Sequence, residues 1–371
     1  MDHLVDGQCR GTGRPQDRPP RPGGQRRMSA LVARRTLETT VATPAEIPFD
    51  AVLAGQTPMV FKGLARDWPL VQAGLQSGQA ARDYIRAHDQ GGRVVGYTGD
   101  PAIKGRFFYD ETRAAMNFKA ERAPLETFLR RLEEVEGQND APSVYVGSAD
   151  LDAYFPSLKA ANDLGLGSET FGVEPPMAGI WLGNRTVAAA HYDMSNNIAV
   201  CAVGRRRFTL FPPDQVEGLY PGPLEPTPGG QVVSMVDFEN PDLDRHPLFR
   251  QAQAAAQVAE LEPGDVLVYP ALWWHQVEAL DAFNVLVNYW WNAAPGYVDT
   301  PMTTLLHGLL SLRDRPDFEK RGWKALFDYY VFGPAERAGA HLPEAARGPL
   351  GAMDEAKARR LRAYLLDRLN R

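Results

Sequence analysis

The segment Thr186-Val-Ala-Ala-Ala-His191-Tyr-Asp193 reads as an extended strand that ends in two metal-ligand side chains. Residues i and i+2 of a strand share a face, so His191 and Asp193 present an imidazole and a carboxylate to one point. His275 follows Asp193 by 82 positions and closes Trp273-Trp274-His275. Before it stands Pro263-Gly-Asp-Val-Leu-Val-Tyr-Pro270, a turn, a strand and a proline stop. Two histidines and one carboxylate from separate strands of a barrel occupy one octahedral face and leave other positions open. That set suits Fe(II) and oxygen activation, although zinc accepts the same ligand types. His-x-Asp is a weak pattern by itself, and its weight here comes from context. His88, His246, His307 and His341 lack such context and read as structural or exposed.

Around this segment the chain is β-patterned. Runs at 177–182, 186–192, 197–203, 206–211, 258–261, 265–270 and 284–291 are separated by Gly, Pro and Asp, as in a sandwich or barrel. Within 206–211, Arg206, Phe208 and Leu210 share one face. A basic residue in that apolar company requires a carboxylate partner. The Pro- and Asp-rich stretch 212–250 exceeds a simple turn and is expected to be functional or disordered. Upstream, Met59-Val-Phe and Arg93-Val-Val-Gly-Tyr read as strands, as does Val144-Tyr145-Val146, whose tyrosine faces away from both valines. A helix is predicted from Pro124 as first helical residue, with Leu125, Phe128, Leu129 and Leu132 on one side.

After residue 299 the period becomes helical. Thr300-Pro301 starts a stripe of Met302, Leu305, Leu306, Leu309 and Leu310. A second stripe holds Trp323, Leu326, Phe327 and Tyr330, and a third Leu361, Leu365 and Leu369. These stripes serve either packing on the barrel or a homodimer interface, with equal weight. The predicted organisation is a disordered tail at 1–27, a domain at 28–292 with its barrel core at about 143–292, and a helical region at 293–371.

The 371 residues carry a net charge of −6. Residues 1–27 hold six Arg and three Asp, so the remainder has 34 basic and 43 acidic residues, a net of −9. An acidic body captures a phosphate backbone weakly, so no nucleic-acid partner is expected. Nothing approaches 18 consecutive apolar residues, the first residues lack a secretory layout, and only Cys9 and Cys201 occur. A cytoplasmic protein without membrane association or a disulfide framework is expected.

The block His191-Tyr-Asp-Met-Ser-Asn-Asn197 … Gly204-Arg-Arg-Arg-Phe-Thr-Leu-Phe-Pro-Pro-Asp-Gln215 … Leu219-Tyr-Pro resembles the jumonji-C and cupin-like hydroxylases, in pattern most of all factor inhibiting HIF. Asp237-Phe-Glu-Asn-Pro-Asp242, Pro263-Gly-Asp … Trp273-Trp-His275 and the entry segment Pro58-Met-Val-Phe-Lys-Gly-Leu-Ala-Arg-Asp-Trp-Pro69 extend the likeness over residues 55–292, and more generically to about 333. The resemblance implies a mainly β fold, a double-stranded β-helix with flanking N-terminal α/β elements and C-terminal helices. It also implies Fe(II), O2 and 2-oxoglutarate, the ketoacid being decarboxylated to succinate and CO2 as a protein side chain or small molecule is hydroxylated.

Residue by residue, the likeness makes His191, Asp193 and His275 the metal ligands. It places Arg206 where the relative has a lysine for the far carboxylate of the ketoacid, and Tyr145, Asn197 and Asn288 beside ketoacid and iron. The family threonine is Ala188 here. The Arg-Gln pair that clamps a substrate asparagine in the relative is Val232-Val233, and a further glutamine is Gly147, so asparagine hydroxylation is not the expected reaction. The aromatics Trp273, Trp274, Tyr289, Trp290 and Trp291 fit a barrel core better than a substrate groove. Two alternatives share the metal site. One is N-methyl-lysine demethylation, which the acidic body disfavours. The other is a non-catalytic cupin that binds metal or ligand only, which would need neither an open facial site nor a buried cation.

Overall fold

A computed structural model describes residues 33–172 and 175–370, so the predicted tail at 1–27 lies outside the described residues. Seven strands come first: β1 (Arg34–Arg35), β2 (Leu37–Thr39), β3 (Met59–Phe61), β4 (Arg93–Gly99), β5 (Arg106–Phe107), β6 (Phe118–Pro124) and β7 (Ser143–Asp150). Eight follow: β8 (Met177–Gly183), β9 (Val187–Tyr192), β10 (Asn196–Val203), β11 (Arg206–Phe211), β12 (Gln257–Leu261), β13 (Val266–Tyr269), β14 (Trp274–Ala279) and β15 (Asn284–Trp291). These eight form a double-stranded β-helix. Its two halves are β13-β10-β15-β8 and β12-β11-β14-β9. The first half is extended by β2 and β3 at one edge and by β7, β4 and β6 at the other; β1 and β5 flank the second.

Side-chain parity explains why the strands read as near-continuous apolar runs, since both faces of the larger sheet are covered. From β10, Ala199 and Cys201 point into the barrel with Phe208, Leu210, Tyr269 and Leu286. Ile198, Val200 and Ala202 point outward, into a second core shared with the N-terminal helices. The helix Leu125–Val135 packs there through Leu125, Phe128, Leu129 and Leu132, all buried. At about 1.5–3 kcal/mol for each such side chain, this face holds the helix to the sheet. Pro124 closes β6 and caps that helix, one position earlier than the sequence suggests.

Two tight turns set the barrel's register. Between β10 and β11, Gly204 adopts φ +69, and a Cβ there would lie 2.4 Å from Asn284 Oδ1, so only glycine fits. Before β13, the Asp265 carboxylate accepts from the backbone N–H groups of Gly63 and Glu262 and pairs with Lys62, which ties β3 to the barrel. The stretch 212–250 is ordered. It packs Leu219, Val232, Val236 and Phe249 against Phe211 and Trp274, outside the smaller sheet. Among the described residues no helix is long and apolar enough to cross a membrane.

The C-terminal helices Pro301–Ser311 and Asp317–Tyr330 bury no residue, and Glu355–Leu369 buries only Ala358. Of the stripe residues, Met302, Leu309 and Phe327 are half-buried and the others are exposed.

Candidate metal centre

His191 lies near the end of β9 and His275 near the start of β14, and antiparallel pairing sets them directly opposite each other. Their ring centroids are 4.3 Å apart. Asp193 follows just beyond β9, and its Oδ2 lies 3.6 Å from His275 Nε2. One ligand atom from each of the three falls within 4.8 Å of the others.

Each imidazole is oriented by the backbone. His191 Nδ1 is 2.8 Å from the Ala189 carbonyl oxygen, and His275 Nδ1 is 2.9 Å from that of Trp273. A carbonyl can only accept, so each Nδ1 donates to it and Nε2 is the ring atom left to face a ligand. Burial, reinforced by His191 and opposed by Asp193, holds the His275 pKa down to about 4. His275 is therefore the neutral imidazole that a metal requires.

The three ligands open onto a cavity of about 370 Å³ between the two halves of the barrel. Arg206, Tyr145, Asn288 and Ala188 all line it. Arg206 is 2% exposed, and its Nε and Nη2 have no hydrogen-bond partner. A guanidinium so buried and unpaired is costly, and the anion that offsets this cost has to enter the cavity. Tyr145 stands nearby: burial pushes its phenol above the usual range, with the charge of Arg206 opposing, so the phenol is an O–H donor. The donor set fits a metal, and Arg206 with Tyr145 fits a carboxylate ligand.

The remaining candidates divide. Asn288, on the inner face of β15, uses its Oδ1 to accept from Trp181 Nε1. Asn197 is fully buried but does not line the cavity; its Nδ2 donates to the Ser195 carbonyl at 3.0 Å and its Oδ1 is unpartnered. Val233 pairs with His191 through an isolated β-bridge and lines the cavity, whereas Val232 turns into the outer cluster.

Sequence reasoning missed several wall residues. Thr186 lies two positions before Ala188, in phase with it, and sets a hydroxyl where Ala188 cannot; period two could have found it. Gln231 and Ser148 add polar groups to the wall, but Gln231 lies on irregular backbone and Ser148 at a bulge in β7, where alternation gives no facing. Trp181 and Trp290 also line the cavity, and Trp290 Nε1 donates to Asp193 Oδ2 at 3.1 Å. The core role read for Trp290 therefore gives way to a place beside a ligand.

A family model described as a cupin-like domain matches residues 44–297. HSPB1-associated protein 1 of Homo sapiens is 34% identical over 149 residues, 39% of this chain and 30% of the relative. The tRNA wybutosine-synthesizing protein 5 of Gallus gallus is 30% identical over 197 residues, 48% of this chain and 57% of the relative. Its Mus musculus counterpart is 34% identical over 128 residues, 34% of this chain and 35% of the relative. The chain thus spans between about a third and just over half of the length of these relatives.

Proposed function

This chain belongs to the cupin-like domain family, and from that premise we propose that it is an Fe(II)- and 2-oxoglutarate-dependent oxygenase that hydroxylates a protein side chain or a small molecule. The observation that carries the reading is the unpartnered guanidinium of Arg206 in the same cavity as His191, Asp193 and His275. A site that only held metal would have no use for that charge. A dicarboxylate that chelates the metal at one end and meets Arg206 at the other uses both.

In this reading His191, Asp193 and His275 hold the iron, which when bound supplies oxygen activation coupled to decarboxylation of the ketoacid. Arg206 pairs with the far carboxylate, and its planar fork can do so through two N–H groups. Tyr145 donates its phenol proton to the same anion. Thr186 offers a hydroxyl where Ala188 has none, and Asn288, held by Trp181, keeps a polar edge on the wall. Phe208, Tyr269 and Leu286 exclude water from the inner end of the cavity.

Charge separates this reading from demethylation of a methylated lysine. Besides Asp193 and Arg206, no Asp, Glu, Lys or Arg lines the cavity among the described residues. The two charges of the iron and that of Arg206 are matched by Asp193 and the two carboxylates of the ketoacid. The loaded site is formally neutral, and an incoming ammonium finds no carboxylate to replace its water.

The test is anaerobic loading of the protein with Fe(II), then succinate formation from 2-oxoglutarate on admission of O2, beside His191→Ala. Turnover in the parent protein, even uncoupled, and its loss in the variant are expected. Absence of both turnover and ketoacid affinity in the parent protein sinks the reading.

A further inference from the structure

We infer that Trp290 is a positioning residue for the carboxylate ligand Asp193, and that Gly179 is the seat that keeps its indole in place; this rests on the metal-centre reading above. The indole N–H of Trp290 donates to Asp193 Oδ2 at 3.1 Å. Among the described residues this is the hydrogen bond that reaches that carboxylate. A carboxylate rotates freely about its last torsion, whereas the two imidazoles are each fixed through Nδ1. The indole supplies to Asp193 the restraint that backbone carbonyls supply to the histidines.

The ring itself is held by two neighbours on β8. Gly179 on β8 pairs with Asn288 on β15, two residues before Trp290. A Cβ at position 179 would lie 3.0 Å from Cζ3 of the Trp290 ring and 3.4 Å from its Cη2, so an added methyl would have to push the indole by a few tenths of an ångström. Trp181, two residues along β8 from Gly179, meets it edge-on, with centroids 5.9 Å apart and planes at 73°. Trp181 is anchored in turn by its N–H bond to Asn288. A path of packed rings and hydrogen bonds thus runs from the inner face of the larger sheet to a metal ligand on the smaller one. Outer partners of this kind change metal affinity by about 10–100-fold when removed.

The experiment reads metal binding, not turnover. Apoprotein is titrated with Mn(II), a redox-quiet probe, and free and bound Mn(II) are followed by electron paramagnetic resonance. Trp290→Phe keeps a ring in the seat and deletes the N–H; Gly179→Ala keeps the N–H and displaces the ring. Trp290→Phe is expected to raise the Mn(II) dissociation constant about 10–100-fold and Gly179→Ala to raise it by less, and both to alter the spectrum of the bound ion. Circular dichroism checks that each remains folded, and His191→Ala marks full loss of the site. A purely structural tryptophan predicts a lower melting temperature with an unchanged dissociation constant and spectrum. Parental Mn(II) affinity in Trp290→Phe overturns the inference, and parental affinity in Gly179→Ala alone overturns the seat. A parent protein that takes up no Mn(II) overturns the metal-centre reading instead.

Discussion

Arg206 pulls stability and ligand affinity in opposite directions. Buried, with two guanidinium nitrogens unpartnered, it burdens the ligand-free fold. Once a carboxylate arrives, the pair is held in a low-dielectric interior. Arg206→Met keeps most of the side-chain volume and removes the charge. The ligand-free variant should melt at or above the parent temperature, while its affinity for 2-oxoglutarate in the presence of Mn(II) falls by roughly two to three orders of magnitude, the scale of breaking a buried ion pair. Thermal shift with and without the ketoacid measures both; equal stabilisation of parent and variant by 2-oxoglutarate would rule Arg206 out as its partner. Arg206→Lys should recover part of the affinity. Arg206 is legible in sequence because period two sets it on the face of Phe208 and Leu210, whereas Tyr145 is only set opposite Val144 and Val146 by that period and its place at the site comes from the family resemblance. Trp290 obeys the same parity but sits in a run of aromatics, where core packing and ligand support look alike. Thr186 begins the run that carries His191 and shares the parity of Ala188, but a hydroxyl at a strand end reads equally well as a turn residue.

At the level of elements, seven of the eight barrel strands announce themselves as apolar runs because both of their faces are covered. The exception is β14, which carries His275. Its sequence, Trp274-His-Gln-Val-Glu-Ala279, interleaves polar groups because one face, with His275 and Val277, looks into the cavity and the other carries Trp274, Gln276 and Glu278 on the outer side of the smaller sheet. The site is therefore what hides the strand that builds it. The Pro263-Gly264-Asp265 turn shows the reverse case, a motif visible in sequence whose purpose only packing reveals. Gly264 takes φ +95, and Asp265, 2% exposed, serves Gly63, Glu262 and Lys62 together. Asp265→Ala leaves two backbone N–H groups and an ammonium without their acceptor, and a loss of about 3–5 kcal/mol is expected. Urea unfolding of parent and variant tests this; a loss below 1 kcal/mol would mean that the turn holds β3 without the carboxylate. The irregular segment carrying Gln231 was open to no such reading, since its course is set by the cluster around Phe249 and Trp274 rather than by its own pattern.

For the molecule as a whole, the barrel and the N-terminal helices satisfy each other's apolar faces, and the C-terminal helices do not. Leu310 is 79% exposed and Phe318 67%, with Leu305, Leu306, Trp323 and Leu326 also open to solvent. Large apolar side chains exposed in this number along neighbouring helices mark an interface. Sequence periodicity found the stripes but could not say what they meet, because one amphipathic pattern serves both intramolecular and intermolecular packing. For the exposed part of the stripes a second copy is the partner we propose: helices from two chains can bury each other's stripes around a twofold axis, each patch meeting its equivalent. The first of these helices starts beside the site, since the hydroxyl of Thr300, which precedes it, is 3.7 Å from the sulfur of Met194 on the cavity wall. Leu310 and Leu326, however, do not line the cavity. Light scattering on the full chain should give twice the monomer mass. Leu310→Glu together with Leu326→Glu should give the monomer, because each charge would have to be desolvated to restore the contact. Mn(II) binding should survive that change, since both positions are remote from His191, Asp193 and His275. A full chain that is monomeric at micromolar concentration would refute the dimer and leave these helices to a different partner.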